Sequence, residues 1–386
     1  MALSRRAFVR GVGAGSAGLL ASSVLGRGSE AWSGSAGQAQ SPPAAGLVRL
    51  DSNENPEGPG PKTLDAVRGA LGEACRYPHR AGTDLPDAIA RFHKVPRANV
   101  LVACGSGEVL RIAVEAFVSP TRPLVTAVPT FETCTRTAQF LKYPLHEIPV
   151  DDRLALNLGA MEAKASESGL VFVCNPNNPT GSVHGGKTIA DVIARIRKAS
   201  PSTIVLVDEA YHEYVDDASY ESALPLALEF PQVVVSRTFS KVYGMAGLRV
   251  GYAIGRPETL EKMSGWRLGN GLNMLGIRGA IAALDDRAWV ERGRATNRAM
   301  RDRLRRAFEE LGYKVSDSHG NFVFADIRRD AAAFAKKCRE FNVAVGRPFP
   351  PLNTWTRVSV GTEDEVRQVI DVLRKVLAAT TTVAVA

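Results

Sequence analysis

The sequence predicts an α/β protein, with a mostly parallel sheet covered by helices in a large first region and a smaller α+β region after it. Between about residues 62 and 285, short apolar runs with the length of strands alternate with longer helical stretches. After residue 286, a long charged helical stretch leads to two more strand-like runs. The 386 residues can bury a large core, and this length suggests two domains, with three as the alternative.

Six apolar runs in the first region are the predicted strands of the sheet. They are Val100–Ala103, Pro123–Val128, Leu170–Cys174, Ile204–Val207, Val233–Ser236 and Leu248–Ile254. In the second region, the predicted elements are a helix at Trp289–Leu311, a strand at Asn321–Ala325 and a strand that starts at Arg357. The sequence shows no internal repeat.

The amino terminus has the pattern of an export signal. Arg5 and Arg6 precede a short Gly- and Ala-rich apolar run at residues 11–25, and small or polar residues follow. This pattern resembles a twin-arginine signal, which predicts a periplasmic or exported protein that folds before transport by the twin-arginine machinery. The run is too short and too rich in glycine for a stable membrane span. Cleavage after Ala31 or Ala39 would fit, and a disordered basic tail on a cytoplasmic protein is the alternative.

The predicted boundaries follow from these patterns. Residues 26–46 are rich in Gly, Ser, Ala and Pro, as is typical of a linker. We expect an export signal in residues 1–39, a linker and amino-terminal arm in 40–61, a large cofactor-binding domain in 62–285 and a small C-terminal domain in 286–386.

Charge and cysteine content exclude several classes of function. The net charge is +8, and it falls to +5 without residues 1–39, which hold four arginines and one glutamate. No tract is dense in Lys or Arg, so nothing indicates nucleic-acid binding. The five cysteines are odd in number and widely spaced, which predicts neither a disulfide framework nor a metal site.

Three motifs in order supply the groups that a pyridine-aldehyde cofactor needs: Asn175–Gly181, Asp208–Tyr211, and Ser240–Lys241 with Gly247–Arg249 beyond it. Lys241 is the predicted amine that holds pyridoxal 5'-phosphate as a Schiff base. Asp208 ends an apolar strand, at the edge where α/β sheets bind ligands, and is predicted to face the ring nitrogen. Alone, these two would be a surface lysine and a strand-end cap, but the set of motifs favours the cofactor.

The cofactor phosphate requires several donors and a permanent cation. Thr238, Ser240 and Arg249 can supply them from one loop, since the planar guanidinium binds phosphate oxygens in pairs. Ser106 and Gly107 lie in a glycine turn that opens a predicted helix, whose free N–H groups favour an anion.

Three more side chains are candidates for the cofactor ring. Asn178, between two prolines, is predicted to donate to the phenolic oxygen of the cofactor, and Tyr211 to reach the same oxygen. Phe131 is predicted to stack on the ring face. The alternatives are a turn asparagine, a core tyrosine and a core phenylalanine.

Residues 47–375 resemble the class I/II, fold-type I aminotransferases that depend on pyridoxal phosphate, and most closely their histidinol-phosphate aminotransferase branch. Further runs that carry the resemblance are Leu50–Pro56, Arg76–Pro78 and Arg357–Thr362. The resemblance implies transfer of an amino group from an amino acid to a 2-oxo acid, with Lys241, Asp208 and Tyr211 as catalytic residues.

The resemblance also implies partners and substrate contacts. Tyr77 would reach the cofactor phosphate of a neighbouring subunit, so that the active unit is a homodimer. Arg357 would bind the α-carboxylate of the substrate, and it can grip a carboxylate at two points. Arg347 would meet a distal anion of the substrate, and Asn55 lies in the motif that passes the substrate.

The sequence departs from the branch at three places. Glu57 replaces an aromatic residue near the substrate phosphate, which a carboxylate would repel. His79 replaces an aspartate, and residues 266–273 lack the usual proline–phenylalanine–asparagine pattern. These departures leave open another reaction of the same cofactor, such as that of a decarboxylase, lyase, racemase or oxidase. A catalytically inactive binding protein on the same fold is the third hypothesis.

Overall fold

The computed structural model describes residues 46–78 and 81–378. The chain forms two units, Met1–Leu47 and Val48–Ala386, and the fold below is that of the second. The predicted export signal, residues 40–45 of the linker, and His79 lie outside the described residues.

A seven-stranded sheet lies at the centre, in the order β2-β8-β7-β6-β5-β3-β4. Neighbouring strands are parallel except at β8, which is antiparallel to both β7 and β2. The α/β class with a mostly parallel sheet is therefore confirmed. The strands are β2 (Val100–Ala103), β3 (Leu124–Val128), β4 (Leu145–Pro149), β5 (Leu170–Cys174), β6 (Ile204–Asp208), β7 (Val233–Thr238) and β8 (Gly251–Gly255).

Helices cover both faces of this sheet, so its central strands are buried along their whole length. On one face, Phe172 and Leu206 pack against Leu110 and Ile112. The preceding residue of each strand points to the opposite face, where Val171 and Val205 pack against other helices. The helices are α1 (Pro61–Gly69), α2 (Ala81–His93), α3 (Ser106–Phe117), α4 (Thr133–Phe140), α5 (Leu158–Ala165), α6 (Gly186–Ala199), α7 (Leu224–Glu229), α8 (Pro257–Ser264) and α9 (Met274–Leu284).

The second region contains a small antiparallel sheet in the order β12-β10-β9 and a separate parallel pair, β1 with β11. Val323 and Val358 of this sheet pack against Leu304, Phe308 and Leu373 of two helices. The elements are β1 (Val48–Leu50), β9 (Lys314–Val315), β10 (Phe322–Asp326), β11 (Val343–Val345), β12 (Trp355–Ser359), α10 (Arg287–Glu310), α11 (Ala331–Arg339) and α12 (Glu363–Ala378). The division between residues 285 and 286, just before α10, stays a prediction.

Two predicted boundaries are wrong for local reasons. The strand expected from Leu248 begins at Gly251, because a 3₁₀ turn at Ala246–Leu248 and the left-handed backbone of Arg249 (φ 56°) precede it. Arg357 does not start its strand but lies in the middle of β12, opposite Phe324.

The strands β1, β4, β9 and β11 have no counterpart among the predicted strands. The segment that forms β4 has no fully buried residue, so it lacks the continuous apolar run of the central strands. Among residues 46–78 and 81–378, no helix combines the length and apolar character needed to cross a membrane.

Candidate active site

Three of the predicted site residues lie at the carboxyl ends of adjacent parallel strands. Asp208 is the last residue of β6, Asn178 follows β5, and Lys241 follows β7. Since β5, β6 and β7 are neighbours and run in the same direction, these residues share one edge of the sheet. The sheet topology therefore brings together an amine, a carboxylate and an amide that are far apart in sequence.

Asp208 is a buried carboxylate that lacks a full set of partners. Its side chain is 2% exposed, and its Oδ1 atom makes no hydrogen bond in the structure. Burial raises its pKa to about 7. A buried, unsatisfied carboxylate oxygen is unfavourable unless a cation faces it. The protonated ring nitrogen of pyridoxal phosphate would be such a partner, so the site fits this cofactor.

Lys241 is a partly buried amine whose pKa is lowered. Its Nζ atom donates a hydrogen bond to the backbone oxygen of Asn53, at 2.9 Å. Burial is the main cause that lowers its pKa, to about 8, and the charge of Arg357 adds to it. An amine with this pKa is partly neutral near neutral pH, which is the state that reacts with an aldehyde.

Asn178 and Tyr211 are buried, and neighbours fix the direction of their hydrogen bonds. The Oδ1 atom of Asn178 accepts a bond from Arg357 Nη1 at 2.7 Å, so the amide N–H groups remain as donors. The hydroxyl oxygen of Tyr211 accepts a bond from Asn53 Nδ2 at 3.0 Å. Burial raises the pKa of Tyr211, which keeps its phenol protonated. Each residue therefore keeps a proton that it can donate to a ligand, and their common acceptor stays a prediction.

The predicted phosphate ligands come together at the start of α3. The Oγ atom of Ser240 lies 3.0 Å from Thr238 Oγ1 and 3.4 Å from Arg249 Nη1. Gly105, with φ +78°, directly precedes Ser106, and a Cβ at Gly105 would lie 2.4 Å from Arg249 Nη2. Only glycine permits this approach of the guanidinium to the helix start. Ser106 and Gly107 are the first residues of α3, so their N–H groups add donors for an anion.

Arg357 is a buried guanidinium with an unused donor. Its Nη2 atom donates to the backbone oxygen of Asp51 at 2.9 Å, whereas its Nε atom has no partner. The rings of Phe322 and Phe349 lie 5.7 and 4.8 Å from its central carbon. Burial lowers its pKa to about 10. A substrate carboxylate would satisfy both the charge and the free donor.

The predicted substrate residue Arg347 forms a partly exposed pair with Glu132, and we call these two the mouth residues. Its Nη2 atom pairs with Glu132 Oε1 at 2.6 Å, and its guanidinium packs on the ring of Phe349 at 4.5 Å. Phe349 therefore contacts both Arg347 and Arg357. Phe131, next to Glu132, is 37% exposed, and the structure gives it no ring partner among the described aromatic pairs.

Asn55 and Glu57 are held by contacts within the chain. Asn55 donates from Nδ2 to the backbone oxygen of Val242 at 2.9 Å, and its Oδ1 atom accepts from the N–H of Glu57. Glu57 pairs with Arg292 at 3.0 Å, which neutralises the carboxylate that the sequence placed near the substrate. The substrate contact of Asn55 stays a prediction.

Tyr77 lies at the surface and is 74% exposed. The adjacent Pro78 lines a cavity of about 380 Å³, together with Val102, Glu108 and Arg267. Trp266 and Leu268, in the segment that departs from the family pattern, are also exposed.

Sequence reasoning assigned no role to Asn53, Ser359, Phe322 and Phe349. Asn53 belongs to the run Leu50–Pro56 that carried the resemblance, but its contact with Lys241 uses a backbone oxygen. A contact through a backbone oxygen does not depend on the side chain, so the sequence pattern does not indicate it. The two phenylalanines look like core residues, and their role as a frame for Arg357 depends on the packing of β10 beside β12.

The chain matches the class I and II aminotransferases over residues 45–373. The histidinol-phosphate aminotransferase of Symbiobacterium thermophilum is 37% identical over 86% of this chain and 91% of its own length. Histidinol-phosphate aminotransferase 1 of Nitrosococcus oceani is 35% identical over 86% of this chain and 89% of its own length. The crystal structure of the Sinorhizobium meliloti histidinol-phosphate aminotransferase in complex with pyridoxal-5'-phosphate has a TM-score of 0.80 and 28% identity, and covers 86% of this chain and 91% of that chain. The chain therefore belongs to the class I and II aminotransferase family and is a pyridoxal-phosphate-dependent transaminase of fold type I.

Proposed function

We propose that this enzyme uses Lys241 and Asp208 to move an amino group from an amino acid, or a related amine, to a 2-oxo acid. The observation that carries this proposal is the unsatisfied Oδ1 atom of the buried Asp208, in the same site as a lysine of lowered pKa. When bound, pyridoxal phosphate supplies an electron sink that weakens the Cα–H bond of the amine.

The side chains of the site then have separate tasks. Asp208 provides a negative charge at the ring nitrogen. Lys241 binds the cofactor and can later accept and return the Cα proton, since its pKa of about 8 lies near working pH. Asn178 and Tyr211 donate to the phenolic oxygen, while Thr238, Ser240, Arg249 and the start of α3 hold the phosphate. Phe131 covers the ring.

Arg357 would orient the substrate by its carboxylate, through the Nε donor that has no partner in the structure. Arg347, which is 44% exposed, would act on a more distant anionic group of the substrate. Histidinol phosphate is the first amine to test, because the relatives above carry that name. The Glu57–Arg292 pair supports a substrate-binding segment that differs from the pattern of the histidinol-phosphate aminotransferase branch.

The experiment is a screen of the purified holoenzyme with amino donors, including histidinol phosphate, read as loss of the visible absorbance of the bound cofactor. Transamination predicts that a donor bleaches the band and that a 2-oxo acid restores it, with release of the new amino acid. Carbon dioxide release without this cycle would indicate a decarboxylase instead. A holoenzyme that no amino donor bleaches would reject transamination.

We propose further that the active unit is a homodimer in which Tyr77 reaches the cofactor phosphate of the partner. The exposure of Tyr77, Trp266 and Leu268 on one chain supports this. Mixing Lys241→Ala and Tyr77→Ala variants would then restore one intact site per hybrid dimer. If Tyr77 acts within its own chain, mixing restores nothing.

For location, we propose export by the twin-arginine machinery after folding, on the strength of Arg5 and Arg6 and the apolar run that follows. Fractionation of cells that express the full chain and an Arg5→Lys, Arg6→Lys variant tests this. Export predicts a periplasmic or extracellular parent and a cytoplasmic variant. Equal distribution of the two would favour a cytoplasmic enzyme.

A further inference from the structure

Asn53 forms a hub of four hydrogen bonds between the amino-terminal arm, the small sheet and the active site. Its backbone oxygen accepts from Lys241 Nζ, and its Nδ2 atom donates to the hydroxyl of Tyr211. Its N–H donates to Ser359 Oγ at 2.8 Å, and Ser359 Oγ donates to Asn53 Oδ1 at 2.8 Å. Asn53 and Ser359 are 1% and 2% exposed, so water competes little with these bonds.

The two bonds with Ser359 show which end of the Asn53 amide faces Tyr211. Ser359 Oγ accepts from the backbone N–H of Asn53 and donates its own proton to Asn53 Oδ1. With Oδ1 facing Ser359, the NH₂ end of the amide faces Tyr211. The oxygen of Tyr211 is then an acceptor on that side, and its proton is left to point elsewhere.

The backbone of Asn53 is held in the geometry that this hub requires. Its φ of 52° lies in the left-handed region, which asparagine tolerates better than most residues. At Asn53 the backbone is left-handed, the side-chain amide makes two of the bonds, and the backbone oxygen accepts a third. A substitution therefore changes several contacts unless the new side chain has the same shape.

We propose that Asn53, oriented by Ser359, is a positioning residue that fixes Tyr211 as a hydrogen-bond donor to the phenolic oxygen of the cofactor. This inference rests on the proposed cofactor site and assigns the direction of a bond within it. Asn53 acts through Tyr211 and through the carbonyl that holds Lys241, and it need not touch the substrate.

The test compares binding of pyridoxal phosphate and of its 3-deoxy analogue, which lacks the phenolic oxygen, to apoenzyme. Asn53→Asp keeps the shape but offers Tyr211 only an acceptor, so the phenol donates to the introduced carboxylate and no longer to the cofactor. We expect Asn53→Asp to weaken binding of pyridoxal phosphate by about tenfold or more and to leave binding of the analogue close to the parent's. Ser359→Ala, which frees the amide to rotate, should give a smaller loss with the same selectivity.

A second readout is the pH titration of the visible band of the holoenzyme. A donor to the phenolic oxygen favours its ionised form, so loss of that donor should raise the midpoint of the titration in Asn53→Asp. The control is Asn99→Asp, another buried asparagine whose Nδ2 atom donates to the backbone oxygen of Gly255, away from the site. It introduces the same burial of a carboxylate and should change neither readout.

Equal loss of affinity for the cofactor and its analogue would mean that Asn53 is only structural, and would overturn the inference. Parent-like binding and titration in Asn53→Asp would do so as well. Neither readout requires turnover, so a failure of transamination with every donor leaves this test intact. A parent apoenzyme that binds no pyridoxal phosphate would overturn the proposed function and this inference together.

Discussion

The buried residues of the site and the two mouth residues, Arg347 and Glu132, both carry charge, but they are partnered in opposite ways. Asp208 and Arg357 are nearly buried, and each has a polar atom with no partner in the chain. The mouth residues Arg347 and Glu132 are 44% and 33% exposed, and they pair with each other. Burial without a partner shifts pKa values and favours a ligand of opposite charge, whereas exposed pairs stay close to ordinary surface electrostatics.

This difference suggests a division of labour. The buried residues, held by β5, β6, β7 and β12, are expected to provide the chemistry common to the family. The mouth residues come from separate loops and can change at small cost in stability, because exposed ion pairs contribute about 0–1 kcal/mol. The substitutions below test whether the two groups differ as much in function as they do in burial.

Lys241→Ala should have the largest effect. The variant lacks both the amine that binds the cofactor and the group that moves the proton, so turnover should fall by about 10⁴-fold or more. Turnover and the visible band of the holoenzyme measure this. The control Lys262→Ala, an exposed lysine of α8, should behave as the parent. Retention of the band and of turnover in Lys241→Ala would remove this lysine from the site.

Asp208→Asn should come second, since it removes the charge opposite the ring nitrogen but keeps the shape. We expect kcat to fall by about 10²–10³-fold, as for other preorganised electrostatic groups. Steady-state kinetics at saturating cofactor measure the loss. Asp191→Asn, on the surface of α6, is the matched control. A parent-like kcat would mean that Asp208 does not face the cofactor.

Arg357→Lys should come third, because lysine keeps the charge but loses the planar fork. We expect kcat/KM for carboxylate substrates to fall by about 10- to 100-fold, chiefly through KM. The visible band in the absence of substrate should be unchanged. A loss confined to kcat would instead place Arg357 in the chemical step.

The buried Asp208 also predicts a pH dependence of apoenzyme stability. Its pKa is about 7 in the folded state, against an ordinary value of 3.8. Between these values the folded state holds a proton that the unfolded state releases, so this group's contribution to stability falls as pH rises. Asparagine has no proton to release in this pH range, so the stability of Asp208→Asn does not fall with pH through this group. Its Tm should therefore exceed that of the parent near pH 7.5 and match it near pH 4; the same difference at both pH values would contradict the raised pKa.

Arg347→Ala should have the smallest effect. Because this arginine is exposed and already paired with Glu132, its removal should lower kcat/KM by about fivefold or less, and only for substrates with a distal anion. Comparison of an anionic with an apolar amino donor measures this, and Arg195→Ala, exposed on α6, is the control. A loss as large as that of Arg357→Lys would erase the distinction between the mouth residues and the buried residues.

Much of the site could be predicted because its residues follow strands. Asp208 and Lys241 come after runs of valine and leucine that are apolar on both faces, and the common edge of parallel strands implies that they meet. The chemistry of Arg249 identified it in the sequence as an anion ligand. Its left-handed backbone and its approach to Gly105 could not be predicted from the sequence. The pairing of Glu57 with Arg292, 235 residues away, had no local signal.

The sequence by itself determined the fold class, the central strands and the types of group that a pyridoxal phosphate site requires, because apolar periodicity and short motifs act over a few residues. The tertiary structure decided which donors remain free: the bond from Arg357 to Asn178 and the hub of Asn53 join segments more than 150 residues apart. Burial at their meeting point, set by packing of the whole unit, is also what shifts the pKa values of Lys241 and Asp208 toward neutral pH.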